Sequence, residues 1–223
     1  MIRAMSLETI ELETGPAPTA SIIVLHGLGA DGNDFVPFAD EIDLSAKASV
    51  RWVFPHAPTM PVTINNGYVM RAWYDILGME LVRREDEAGL RRSMVSVHAL
   101  IDRERSRGVA ANRIVLAGFS QGCAMTLLAG LRYPLKLAGL VGMSGYLPLA
   151  STLAAERDAA NADVPIFMAH GRFDPVVPFE RGVASRDALV SLGHEVEWHE
   201  YPMQHSVCAP EIDDLRRWLL KVL

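Results

Sequence analysis

Short apolar runs alternate with helically spaced segments along most of the chain. The runs fall at residues 21–25, 50–54, 114–117, 140–143 and 165–169, with a strand-like alternation at 195–199. Between them, residues 35–44, 85–107, 121–133, 179–192 and 211–222 place apolar side chains three and four positions apart. Brief apolar runs separated by helices predict strands buried on both faces, hence an α/β architecture with a mostly parallel sheet covered by helices on both sides. Residues 59–79 break the rhythm with aromatic, Met and Asn side chains, and read as an irregular excursion near the rim of a ligand site. Gly15-Pro16-Ala17-Pro18 punctuates an N-terminal edge segment; no linker, repeat or low-complexity tract follows. At 223 residues, half of them hydrophobic, the chain suits one domain spanning 1–223.

Open parallel sheets bind ligands beyond the carboxyl ends of their strands, and the chemically interesting residues all sit there. His26-Gly27-Leu28-Gly29 follows the first run, Gly118-Phe119-Ser120-Gln121-Gly122 the third, Ser144-Gly145-Tyr146 the fourth, Gly171 to Asp174 the fifth and His205 the sixth. The pentapeptide is the sharpest signal. As a string, G-x-S-x-G turns up by chance in roughly one chain in ten of this length. Placed between a buried strand and a helix, it describes a turn that pushes the serine hydroxyl into the open and leaves amides at the helix start free for an oxyanion.

A serine hydroxyl becomes nucleophilic only when a base takes its proton, and that base needs a carboxylate to hold its tautomer. In this architecture the order along the chain is Ser, Asp or Glu, His. Asp174 lies in a loop just past a strand, although an Asp before Pro175 also suits a plain turn. His205 follows, between the last strand and the last helix. His26 and His170 precede glycines at strand ends and read as loop braces, His170 being the rival base. His98 falls in a helical pattern, His194 and His199 flank the last strand, and His56 follows a proline. The amide of Gln121 is one candidate oxyanion donor; the amide of Leu28, between two glycines, is the other. Tyr146 and Val176 should stand near Ser120, and Trp73, Ile76 and Leu77 supply an apolar rim suited to short or medium acyl chains.

Two rival patterns need weighing. Gly27-Leu28-Gly29-Ala30-Asp31-Gly32 matches the dinucleotide fingerprint G-x-G-x-x-G. Against it, Asp31 would face a pyrophosphate with like charge, and Phe54-Pro55-His56 offers no acid for a ribose. His194 and His199 are one position too far apart for a zinc helix and fall on opposite faces of a strand. No metal or cofactor is expected.

The formal net charge is −6, and the densest basic knot, Arg83-Arg84 and Arg91-Arg92, alternates with Glu85, Asp86 and Glu87. That is a solvated helix face rather than a nucleic-acid groove. No apolar run reaches the length of a membrane span, 137–149 being short and broken by glycines and Pro148. No signal peptide is visible. Cys123 and Cys208 form no disulfide framework, so the expectation is a cytoplasmic protein with free thiols.

With these motifs together, the chain resembles the phospholipase/carboxylesterase family of α/β-hydrolases, which includes bacterial carboxylesterases and the acyl-protein thioesterases. The resemblance is carried by His26 to Gly32, Gly118 to Gly122, His170 to Pro178 and His205-Ser206. Pro61-Val62-Thr63-Ile64-Asn65 and Arg71-Ala72-Trp73-Tyr74-Asp75-Ile76 add to it. It implies an α/β-hydrolase fold, no cofactor, hydrolysis of carboxylic esters or thioesters (lysophospholipids among them), and room for a homodimer. It points to Ser120, Asp174 and His205 as the triad, with Leu28 and Gln121 as oxyanion donors. Cys123 departs from the pattern, standing where many members have glycine. A nucleotide-dependent oxidoreductase and an inactive hydrolase fold serving as a binding module are the alternative readings.

Overall fold

The computed structural model describes residues 7–78 and 85–223. Seven strands form one sheet, in the spatial order β1 (Thr9–Glu13), β3 (Val50–Pro55), β2 (Ala20–Leu25), β6 (Ile114–Phe119), β7 (Gly139–Met143), β8 (Ile166–Gly171) and β9 (Val196–Tyr201). In chain order these begin with β1 (Thr9–Glu13), β2 (Ala20–Leu25), α1 (Phe38–Glu41) and β3 (Val50–Pro55). A separate hairpin, β4 (Thr59–Val62) and β5 (Tyr68–Arg71), precedes α2 (Glu87–Ser106). Then come β6 (Ile114–Phe119), α3 (Gln121–Gly130), β7 (Gly139–Met143), α4 (Ala150–Glu156), β8 (Ile166–Gly171), α5 (Phe179–Ser191), β9 (Val196–Tyr201) and α6 (Ala209–Val222). All pairings in the large sheet are parallel except that of β1 with β3. The α/β-hydrolase expectation is met.

Strand periodicity divides the interior in two. Ile23, Leu25, Ile114 and Leu116 face one core, and Ile22, Val24, Val115 and Ala117 face the other. Successive side chains of a strand point to opposite faces, so a strand flanked by two apolar layers has to be apolar throughout. Helix α3 is buried at all ten positions, wedged beneath α2 and against β6 and β7. Its apolarity on every side follows from that position. Gly139 lets α6 close on the other face, where a Cβ would sit 2.4 Å from the ring of Trp218.

Three departures from the sequence pattern have physical causes. The segment 35–44 is no continuous helix. A 3₁₀ turn (Gly32–Phe35) stops at Pro37, and the four residues of α1 end where Ile42 turns extended. Residues 59–78 contain a paired hairpin; its strands are short and half exposed, so they lack a buried apolar run. Strand β1 escapes notice for the same reason, as an edge strand whose side chains are mostly polar. Met79, Arg83 and Arg84 lie outside the described residues. Arg91 is in α2, paired with Glu87 and Glu156.

Candidate active site

The strand β6 ends in a turn that demands glycine at 118 and 122. A Cβ on Gly118 would lie 2.2 Å from the carbonyl oxygen of Gly122, and one on Gly122 would lie 1.9 Å from that of Leu25. Both positions therefore exclude any side chain, and the chain can reverse from β6 into α3 within three residues. Ser120, at the apex, has φ 56° and ψ −115°, a conformation costing about 1–3 kcal/mol. Its amide donates to Met143 O at 2.9 Å, pinning the apex to β7.

Asp174 is held from two sides. Its Oδ1 accepts from the amides of Val176 (2.8 Å) and Val177 (2.9 Å), and its side chain is wholly buried. Beyond the β8–β9 ladder, Arg172 N donates to Tyr201 O and Phe173 N to Met203 O. These bonds draw the Asp174 loop alongside the loop carrying His205. There His205 Nδ1 lies 2.7 Å from Asp174 Oδ2 and His205 Nε2 lies 2.9 Å from Ser120 Oγ. With Nδ1–H donating to the carboxylate, the Nε2 lone pair is left to accept from the serine hydroxyl. The structure thus brings Ser120, His205 and Asp174 into one hydrogen-bonded chain.

Four of the other histidines, His170, His26, His98 and His56, are committed to hydrogen bonds elsewhere. His170 Nε2 donates to Val177 O at 2.9 Å and stands 3.5 Å from Asp174 Oδ2, so it braces the acid loop without reaching the serine. Burial lowers its pKa, with the Val177 carbonyl and Asp174 opposing, which keeps the ring neutral. His26 donates through Nδ1 to Gly27 O and accepts at Nε2 from Ala57 N. Burial lowers its pKa also. His98 Nε2 donates to Ala129 O, and His56 accepts from Gly32 N.

Leu28 is half-buried at the tip of the loop after β2, and Gln121 begins α3. Among the described residues, neither amide donates to a protein acceptor. The dinucleotide reading of this loop loses its geometry: a 3₁₀ turn follows instead of a helix, and Gly32 is pressed against the carbonyl of Phe54. Among the described residues no group of three His, Cys, Asp or Glu is placed to hold a metal ion.

The expected rim residues divide. Val176 is 54% exposed and Leu77 45%, while Ile76 is half-buried against the core. Trp73 requires correction as a rim residue. Trp73 is fully buried, its indole N–H donating to His26 O at 2.9 Å. Tyr146 is buried, hydrogen-bonds Tyr74 through their hydroxyls, and lies under the Arg181 guanidinium. It faces a cavity of about 170 Å³ whose lining includes none of the three chain-linked residues.

Phe119 was not singled out from sequence, yet its ring centroid lies 4.7 Å from that of His205. Strand alternation carried the signal: 115, 117 and 119 face the layer that also receives Met203 and Val207. Cys123 is fully buried between α3 and β7. Burial pushes its thiol up to about 12, so it is a packing residue with no thiolate at neutral pH.

Residues 8–223 match the model of the phospholipase/carboxylesterase family. The chain belongs to that family. Acyl-protein thioesterase 1 of Yarrowia lipolytica is 39% identical over 215 residues, 94% of this chain and 95% of the relative. The protein of the same name from Gibberella zeae is 41% identical, covering 92% and 91%. Among solved structures, Arabidopsis thaliana SOBER1 superposes with a TM-score of 0.86 at 33% identity, over 91% of this chain and 98% of that one. Acyl-protein thioesterase 2 of Zea mays gives 0.85 at 28%, over 96% and 98%. The protein is a serine hydrolase of the α/β-hydrolase fold.

Proposed function

We propose that this hydrolase cleaves carboxylic esters and thioesters of short to medium acyl chains through an acyl-enzyme on Ser120. The reading rests on one observation above all, the continuous hydrogen-bonded chain from Ser120 through His205 to Asp174. Ser120 Oγ attacks the carbonyl carbon while His205 Nε2 takes its proton. Asp174, fixed by two backbone amides, stabilises the imidazolium. The oxygen that gains charge is received by the amides of Leu28 and Gln121. His205 then delivers its proton to the departing alcohol or thiol, and water repeats the sequence to release the acid.

No step calls on a metal, so EDTA should leave the rate unchanged. Leu77 and Val176, both exposed, together with Ile76, support a shallow apolar groove for the acyl chain. The names of the fungal relatives support the thioester half of the reading. The chain as one domain, a homodimer and a cytoplasmic setting complete the proposal, the last supported by two free cysteines. Among the described residues no helix is long and apolar enough to cross a membrane.

The test is a matched pair of short-chain substrates, a p-nitrophenyl ester and the corresponding thioester. Both should be turned over with a burst of the first product equal to the enzyme concentration when deacylation is slower. Turnover of neither would contradict the proposal.

A further inference from the structure

The two proposed oxyanion donors, Leu28 and Gln121, are far apart in sequence and belong to different elements. One short segment, 71–74, at the end of the β4–β5 hairpin is hydrogen-bonded to both elements. On the α3 side, Gln121 Oε1 accepts from Trp73 N at 2.8 Å and Gln121 Nε2 donates to Tyr74 O at 2.7 Å. On the loop side, Trp73 Nε1 donates to His26 O at 2.9 Å, and Gly29 N donates to Arg71 O at 2.9 Å. These two bonds clasp the loop on either side of Leu28, leaving that amide between them. The clasp is itself anchored, since Ser93 Oγ of α2 donates to Trp73 O and the Trp73 ring lies 5.4 Å from that of His26.

Both polar ends of Gln121 are therefore spent on residues 73–74, and Trp73 passes the constraint to the loop. Trp73, His26 and Gln121 are all buried, so water does not compete for these bonds. We propose that Trp73 is a positioning residue that sets the separation of the Leu28 and Gln121 amides. This rests on the ester-hydrolase reading above. The segment does not touch the reacting atoms; it acts through the two amides. Preorganised donors contribute most when their geometry is fixed before charge develops, and a displacement of about 1 Å costs on the order of 100-fold.

Two variants test it. Trp73→Phe keeps an aromatic ring but removes the bond to His26 O. Gln121→Met keeps the backbone amide and side-chain length but removes both bonds to 73–74. Each is measured per folded molecule for kcat, KM and affinity for a trifluoromethyl ketone matched to the ester's acyl chain. Ser120 Oγ adds to that ketone's carbonyl carbon, its proton passes to His205, and the carbonyl oxygen becomes the oxyanion. The expected result is a fall in kcat of about 10–100-fold, KM within about threefold, and ketone affinity reduced by the same factor as kcat. Loss of thermal stability with kcat and ketone affinity unchanged overturns the inference, as does a rise in KM at constant kcat. Wild-type enzyme that neither hydrolyses the ester nor binds the ketone removes the hydrolase reading itself, and this inference with it.

Discussion

Two glutamates, Glu104 and Glu211, are both buried to 0% exposure, and the protein treats them in opposite ways. Glu104, near the amino-terminal edge of the sheet, accepts from Arg51 (2.9 Å), Arg107 (2.9 Å) and Ser21 (3.0 Å). Arg51 in turn reaches Glu13, and Arg107 reaches Glu11. Glu211 lies in the first turn of α6, just past the His205 loop at the carboxyl edge. Among the described residues neither of its oxygens has a hydrogen-bond partner. The Cys208 amide nearby favours the charged form without making a bond of ordinary geometry. Burial outweighs it and raises the pKa to about 8.

One edge therefore answers buried charge with partners, and the other answers it with a proton. At the carboxyl edge Ser120, Ser144 and Leu149 have positive φ, and two amides wait for an acceptor. At the amino edge lies a cavity of about 540 Å³, yet its cations are committed, Arg105 to Asp102 and Lys136 to Asp163. That cavity is lined by none of Ser120, His205 and Asp174. The strained Ser120, with the two amides beside it that are unpaired among the described residues, marks the carboxyl edge instead.

The largest expected effect breaks the comparison at its chemical end. Ser120→Ala should keep the fold and its thermal midpoint while lowering ester turnover by at least about 10⁴-fold, measured with a p-nitrophenyl ester. Unaltered turnover would move the chemistry elsewhere.

Glu104→Ala should do the converse, since it removes the buried partner of Arg51 and Arg107 and leaves Arg51 with Glu13 alone. Urea unfolding should show a loss of about 3–5 kcal/mol, with kcat per folded molecule unchanged. A fall in kcat at full stability would mean that the two edges are not separate.

Glu211→Gln sharpens the contrast through pH. With a folded pKa raised to about 8 from the ordinary 4.5, the native state keeps a proton that the unfolded chain has released. Stability from this group is thus lost as pH rises from about 4.5 to about 8 and is level above. Replacing the carboxyl should flatten that slope and stabilise the protein at pH 8. The shift caps the gain at about 5 kcal/mol, and relaxation around the charge brings it nearer 2. An unchanged slope in the denaturation midpoints would exclude this account of Glu211.

The smallest effect is at the rim. Val176→Trp should shorten the preferred acyl chain, each displaced methylene removing about 0.8 kcal/mol or roughly a factor of four in kcat/KM. The acid limb of the pH profile should stay where it is. Chain-length preference indifferent to Val176 would place the groove elsewhere.

How far the sequence was legible follows the same physical division. Strands β2, β3 and β6 to β8 are buried on both faces and read as unbroken apolar runs; β9 shows as alternation. The hairpin around Tyr68 and the edge strand β1 are paired by backbone bonds while their side chains stay wet, so nothing in composition marks them. Ser120, Asp174 and His205 were readable because a tight turn demands Gly118 and Gly122, and because chain order restricts the acid and base. Trp73 was misplaced on the rim. A tryptophan in an irregular segment carries no periodicity, and only the observed bonds to Gln121 and His26 reveal that it lies beneath the site.

The central claim is that Ser120 alone is activated. It is tested most directly by labelling the intact enzyme with a fluorophosphonate and mapping the adduct by mass spectrometry. One equivalent should attach at Ser120, with labelling abolished in Ser120→Ala and slowed by orders of magnitude in His205→Ala. Attachment at another serine, such as the buried and strained Ser144, or equal labelling without His205, would contradict the account.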